Sequence, residues 1–173
     1  LSLLSLNTFA AGSKIDIPKY DWSWKGFFGT YDRASAQRGL KVYREVCAGC
    51  HSMDLIAYRN LADLGFSEAH IKAIAAEYLI PDGPNDEGEM FEREAIPSDR
   101  FANPYPNVQA ARAANNGAYP PDLSLIVKAR PKGADYLKAL LLGYVEAPAD
   151  KEVPEGQYYN KYMDGNLIAM PSP

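Results

Sequence analysis

The apolar positions of this chain fall at helical spacing in short stretches, separated by long connections rich in polar residues, proline and glycine. From Asp32 onward, Leu40, Tyr43, Val46 and Cys47 share one face, which predicts a helix capped by Asp32 or Ser35. Gly39 sits inside it at a cost of about 1 kcal/mol relative to Ala. With Tyr43 one turn later, it offers a place where a second helix approaches closely. A second helix is predicted over residues 67–79, with Ser67 as N-cap and Ile71, Ile74, Ala75 and Tyr78 on one face. His70 lies off that face and reads as a solvated side chain, with iron ligation as its other use. Residues 108–114 form a short helix and residues 123–129 a helical turn carrying Lys128 and Arg130 at its end. The clearest later helix covers residues 134–142, with Tyr136, Leu137, Leu140 and Leu141 as its apolar stripe and Gly143 as its stop.

The connections show no period. Residues 15–29 hold four aromatics within seven residues and read as an extended arm whose rings pack onto the domain or a partner. In residues 81–100, Asp82, Asp86, Glu87, Glu89, Glu92, Glu94 and Asp99 face only Arg93 and Arg100, with a turn at residues 82–85. This is an acidic surface loop, and its order does not match a calcium loop. Residues 103–107 and 115–123 carry turn chemistry stiffened by proline, and residues 144–173 are loop-like. Helices without a strand pattern predict an all-α fold with long irregular loops.

Composition narrows the picture. A chain of 173 residues with 47% apolar content is enough for one domain with a core and cramped for two. Eighteen basic against 22 acidic residues give a net charge of -4, which argues against a nucleic-acid footprint and favours a basic partner. No apolar run approaches the roughly 18 residues of a transmembrane helix. Residues 1–12 resemble the apolar core and small-residue end of a secretory signal lacking its Met and basic segment, so residues 1–14 are expected to be a leader remnant or N-terminal extension.

Both cysteines and one of the two histidines lie in Cys47-Ala48-Gly49-Cys50-His51, a C-x-x-C-H pentapeptide that reads as a c-type haem attachment site. Two thiols about one helical turn apart can each form a thioether with a haem vinyl group, and the adjacent imidazole can bind the iron. In bacteria that attachment occurs across the membrane, which places the domain on the periplasmic side of the inner membrane. A thioredoxin-like dithiol shares C-x-x-C but belongs beside a βαβ pattern, which this chain lacks. A structural zinc site needs four ligands, and only Cys47, Cys50, His51 and His70 are on offer, three of them crowded together.

An iron bound by His51 stays five-coordinate or takes a second protein ligand, most often Met in c-type electron carriers. Met53 lies two residues from His51, on the same side of the porphyrin, and Met90 lies in the acidic loop. Met163 and Met170 follow the helices, where a returning loop crosses the distal face. Met170, between Leu167-Ile168-Ala169 and Pro171, is favoured over Met163, which sits among Tyr162, Asp164 and Gly165. A soft thioether favours Fe(II) and raises the potential, which suits one-electron transfer. With Met170 as plain core, an open iron position suits a haem enzyme or gas sensor instead. Arg130 is a candidate to offset buried propionate charge, a surface ion pair being its other use.

The pentapeptide is followed by Ser-Met-Asp, and the chain then carries Asp82-Gly-Pro-Asn, Gly88-Glu-Met-Phe91, Asn103-Pro-Tyr-Pro-Asn107 and Ala110-Ala-Arg-Ala-Ala-Asn-Asn-Gly-Ala118. Pro120-Pro-Asp-Leu-Ser124 and Ile168-Ala-Met-Pro171 complete the set. On these motifs it resembles the cytochrome c1 family, haem subunits of the cytochrome bc1 complex, over almost everything from Asp16 onward. The resemblance implies a class I cytochrome c-like haem domain over residues 15–173, with one haem c on Cys47 and Cys50 and with His51 and Met170 as iron ligands. It also implies that Asn115, Pro120 and Pro121 line the haem crevice and that Arg130 and Tyr136 lie near the propionates. The implied role is an electron relay from the Rieske iron-sulfur protein to a soluble cytochrome c, beside cytochrome b, with no catalysis by this chain alone. Asp82, Asp86, Glu87, Glu89 and Glu92 then become part of a docking surface, where charge mainly speeds encounter. Family members continue past the ligand Met into a helix that packs on the N-terminal helix and then into a membrane anchor. This chain stops at Pro173, so the face around Gly39 and Tyr43 is expected to lack its partner.

Overall fold

A computed structural model describes residues 15–173, so the expected leader remnant over residues 1–14 lies outside the described residues. Helix α1 spans Arg33–Glu45, and Asp32 is its cap: the carboxylate accepts the N–H groups of Ala34 and Ser35 at 3.0 and 3.2 Å. Such a cap contributes about 1 kcal/mol. Leu40 and Tyr43 lean on the core as their spacing predicts. Val46 does not: the helix ends at Glu45, and Val46, at the C-cap, is 49% exposed. Gly39 is also exposed, and a Cβ there would meet nothing within 4 Å, so no helix crosses it closely among the described residues.

Helix α2 (Glu68–Ala76) starts where expected, Ser67 Oγ accepting the His70 N–H at 3.3 Å. Its buried Ile71 and Ala75 pack with Tyr58, Leu61, Ala95 and Phe101 into one apolar cluster. Tyr58 and Phe101 stack at its centre with ring centroids 4.7 Å apart. The His70 side chain is exposed. The helix is shorter than predicted, because Glu77 caps it and Leu79 opens a strand.

That strand corrects the reading of residues 81–100 as one acidic loop. Strand β1 (Leu79–Asp82) pairs antiparallel with β2 (Phe91–Glu94), Leu79 opposite Glu94 and Asp82 opposite Phe91. Arg93 reaches the carboxylates of both Asp82 and Asp99, so part of the apparent charge run is an internal ion network. The turn between the strands is organised by Asn85, whose Oδ1 accepts the N–H groups of Glu87 and Glu89 at 3.0 and 2.8 Å. A second pair, β3 (Tyr158–Tyr159) with β4 (Leu167–Ile168), interrupts the expected C-terminal loop. The fold is therefore mostly helical with long loops, as expected, to which two small antiparallel hairpins are added. Strands of two and four residues are too short to display a period of two.

Helix α3 (Val108–Ala114) is capped by Asn107, and the short α4 (Ile126–Ala129) packs on α5 (Gly133–Leu141). Of the stripe predicted for α5, Tyr136, Leu137 and Leu140 are half-buried and Leu141 is exposed, while Ala139 is fully buried. Gly143 is not a left-handed stop, since its φ lies outside that region. It is glycine because a Cβ would lie 2.5 Å from Asn160 Oδ1 and 2.7 Å from Tyr162 Cδ2.

The N-terminal arm is pinned to α5 by Asp135, which accepts the Trp22 indole N–H at 2.6 Å and the Tyr20 N–H at 3.1 Å and pairs with Lys25. Trp22, Trp24 and Tyr31 stack in sequence. Phe27 and Phe28 do not pack on the domain, standing 95% and 90% exposed in the turn closed by Gly29 N–H and the Gly26 carbonyl, which leaves a partner as the other place the arm's rings are expected to pack. No helix among the described residues is long and apolar enough to cross a membrane.

Candidate functional site

Helix α1 delivers the chain into a 3-10 turn over Cys47–Gly49, in which the N–H groups of Cys50 and His51 both bond to the Cys47 carbonyl, at 3.1 and 2.9 Å. The turn sets the two thiols on adjacent levels of one coil. Both are free, Cys47 half-buried and Cys50 exposed. Burial pushes the Cys47 thiol up, the opposite of the lowered value that a redox dithiol requires. The two sheets are antiparallel, so the βαβ setting of a thioredoxin-like site is also missing among the described residues. No group of three or more His, Cys, Asp or Glu gathers to hold a metal ion among the described residues.

His51 Nδ1 lies 2.8 Å from the carbonyl oxygen of Pro121. A carbonyl only accepts, so Nδ1 is the donor, and in the neutral imidazole the lone pair then lies on Nε2. This is the tautomer an iron-bound imidazole needs, with its other nitrogen oriented by a backbone carbonyl. The same two segments are joined by further bonds. Asp122 Oδ2 accepts from Ser52 Oγ at 2.9 Å and from the Asp54 N–H at 2.7 Å, and the Leu123 N–H donates to the Ser52 carbonyl at 2.9 Å. Burial works against a charged Asp122, but bonds from Asp54, Ser124 and Ser52 outweigh it and hold the carboxyl below the usual range. Tyr43 Oη–H donates to the His51 carbonyl at 3.1 Å. Burial first, then neighbouring acidic groups, raise the Tyr43 hydroxyl well above its ordinary value, so it stays a donor.

On the Cys50 side, Tyr105 Oη lies 3.9 Å from Sγ, and Asn115 Nδ2 donates to Tyr105 Oη at 3.1 Å and to the Ala111 carbonyl at 2.7 Å. Pro121 and Asn115 are thus brought to the pentapeptide, with Pro120 half-buried beside Pro121. The remaining candidates are held separately. Tyr136 Oη points at Met163 Sδ, 3.8 Å away, and the Met170 carbonyl accepts Tyr144 Oη–H at 3.0 Å. Met53 packs against the core and Met90 is 67% exposed, which leaves Met163 and Met170 as the two half-buried methionines of the C-terminal segment. Arg130, at the C-cap of α4, is exposed and forms no ion pair among the described residues.

Burial shows whether a haem suits this frame. After Phe101 the buried apolar residues are alanines only, Ala111 and Ala139. Tyr136, Leu137, Leu140, Leu167, Ile168 and Met170 are all half-buried. The C-terminal half is an apolar wall without large buried side chains of its own. Half-buried apolar side chains of this kind, in a chain with two free thiols and an oriented imidazole, fit a flat apolar cofactor held covalently. An open groove of about 380 Å³ between Trp22, α4 and α5 takes in Leu137 but none of the predicted haem-binding residues.

Four residues of this frame escape sequence reasoning: Tyr105, Asp122, Tyr144 and Asn160. Only Asp122 leaves a local trace, an Asx turn in which Oδ1 accepts the Ser124 N–H at 2.9 Å.

Comparison with known proteins agrees with this frame. The family model described as "Cytochrome C1 family" matches residues 22–173. The chain is 52% identical over 173 residues to "Cytochrome c1 1, heme protein, mitochondrial" of Arabidopsis thaliana, covering 98% of this chain and 56% of that protein. It is 47% identical over 175 residues to "Cytochrome c1" of Rhodospirillum rubrum, covering 92% and 64%. It is 52% identical over 162 residues to "Cytochrome b-c1 complex catalytic subunit, mitochondrial" of Candida albicans, covering 93% and 56%. The chain therefore spans between half and two thirds of the length of these relatives.

Proposed function

The chain belongs to the cytochrome C1 family, and from that premise we propose that residues 15–173 form one class I cytochrome c-like domain relaying single electrons within a cytochrome bc1 complex. The family binds haem c, and Cys47, Cys50 and His51 supply its C-x-x-C-H motif. When bound, the haem supplies a one-electron iron couple. Cys47 and Cys50 hold it by thioethers. His51, oriented through Nδ1 by Pro121, would hold the iron through Nε2, and Met170 would hold it through its thioether. Asn115, Pro120 and Pro121 would wall the haem crevice, and Arg130 and Tyr136 would offset the charge of its propionates. The chain breaks no substrate bond by itself.

The observation that carries this reading is the His51–Pro121 bond, which presents a free Nε2 from a C-x-x-C-H turn. The electron comes from a Rieske iron-sulfur protein in a complex that includes cytochrome b, and leaves to a soluble cytochrome c on the periplasmic side of a bacterial inner membrane. Asp82 is engaged by Arg93, whereas Asp86, Glu87, Glu89 and Glu92 are exposed, so these four form the acidic face offered to a basic acceptor. The test is stopped-flow spectroscopy on membranes containing the assembled complex. Added quinol is expected to reduce this haem, and a soluble cytochrome c to reoxidise it. A haem that quinol leaves oxidised contradicts the reading.

A further inference from the structure

Two contacts at the end of α5 hold the segment that carries Met170. Asn160 is fully buried, its Nδ2 donating to the Leu140 carbonyl at 2.7 Å and its Oδ1 accepting the Tyr162 N–H at 3.0 Å. Its backbone closes the loop over residues 160–166, the N–H donating to the Asn166 carbonyl at 2.8 Å and the carbonyl accepting the Met163 N–H at 3.2 Å. The missing side chain at Gly143 is what admits it, and the Gly143 carbonyl accepts the Lys161 N–H at 3.0 Å.

One residue further on, Tyr144 forms an antiparallel bridge with Asn160, and its hydroxyl donates to the Met170 carbonyl at 3.0 Å. Between these anchors, β3 and β4 pair with Tyr158 opposite Ile168. Met170 thus stands two residues beyond a bonded strand and is tied again at its own carbonyl.

We propose that Asn160 and Tyr144 are positioning residues for Met170, fixing its backbone against α5 so that its thioether is presented at one place and resists displacement. The proposal rests on the reading of Met170 as an iron ligand. A buried amide with both ends bonded confines the loop, because releasing either end leaves a polar group unpaired. The Tyr144 bond then removes the remaining freedom at the ligand residue itself. Met163 lies in the same loop but is already engaged by Tyr136, so the clamp serves Met170.

The test uses the haem-loaded protein in its complex and reads the ferric sulfur-to-iron charge-transfer band, the midpoint potential and the rate at which imidazole displaces the sixth ligand. Met170→Ala is expected to abolish the band. Tyr144→Phe is expected to keep the band, lower the potential and speed displacement about fivefold, the effect of losing one net hydrogen bond. In the Met170→Ala background the same Tyr144→Phe change should leave imidazole binding unaltered. Asn160→Ala should act in the same direction and more strongly, but Tyr144→Phe, which keeps the ring, decides the matter should Asn160→Ala fail to fold. If Met170→Ala loses the band while Tyr144→Phe alters neither rate nor potential, the positioning role is overturned and the ligand assignment stands. A band that survives in Met170→Ala overturns both.

Discussion

Replacing Asp122 with Asn tests whether the His51 segment depends on its carboxylate bridge. In the native chain Oδ2 takes the Asp54 N–H at 2.7 Å and Ser52 Oγ–H at 2.9 Å, and Oδ1 takes the Ser124 N–H at 2.9 Å. An amide has one acceptor oxygen. With that oxygen toward Asp54 and Ser52, its NH2 confronts the Ser124 N–H; turned round, it confronts the Asp54 N–H. Either way one backbone donor loses its partner, the half-buried Ser124 N–H or the exposed Asp54 N–H, the buried case costing about 1–3 kcal/mol. The surviving bonds also lose the strength that a charged acceptor confers. Removing a charge whose burial is unfavourable recovers part of this, so the net loss is about 2 kcal/mol, or roughly 4–8 °C in Tm for a chain of this size.

Thermal unfolding of the haem-loaded protein, followed by circular dichroism as a function of pH, measures it. Because the folded Asp122 carboxyl sits below its ordinary value, its stabilisation is fully present above the ordinary carboxylate range of about 3.9. It is lost as pH falls through the folded value. The gap between wild type and Asp122→Asn should therefore be full at neutral pH and close on acidification below about pH 4. A gap under about 0.5 kcal/mol at neutral pH, the size of an ordinary surface substitution, would refute the bridge, and so would a gap indifferent to acid.

Tyr58→Ala removes a 2% exposed ring stacked on Phe101 and should lower stability by about 3–5 kcal/mol in urea denaturation; a loss under about 1 kcal/mol would mean that the cluster is not the core. Exchanging Glu87, Glu89 and Glu92 for Gln should slow association with a basic cytochrome c at low salt. That difference should fade as salt shortens the screening length to about 10 Å at 0.1 M. Equal association rates at low salt would remove the acidic turn from the docking face.

The parts legible in the sequence are those whose causes are local. Helices α1, α2, α3 and α5 follow from apolar spacing, and Asp32 and Ser67 start theirs as capping side chains. The pentapeptide, too, is a local arrangement, complete within one turn. Hairpins β1–β2 and β3–β4 were not legible, because each strand is too short for alternation and the charges of β2 resemble a solvated run until Arg93 is seen between Asp82 and Asp99. Gly143 looked like a helix stop because glycine commonly is one; the true cause, Asn160 packed against it, lies 17 residues away. Asp122 and Ser52 are 70 residues apart and Tyr144 and Met170 are 26 apart, so neither bond leaves a mark in the spacing around it. Phe27 and Phe28, by contrast, are held outward by the local turn between Gly26 and Gly29, and only their packing on the domain is lost.

The central claim is that Cys47 and Cys50 hold haem covalently, and mass spectrometry of the peptide containing residues 47–51 tests it most directly. The peptide is taken from protein that has been denatured, extracted with acidified acetone and treated with an alkylating agent. The haem is expected to stay on this peptide, with neither thiol alkylated. A peptide free of haem, with both Cys47 and Cys50 alkylated, would contradict it.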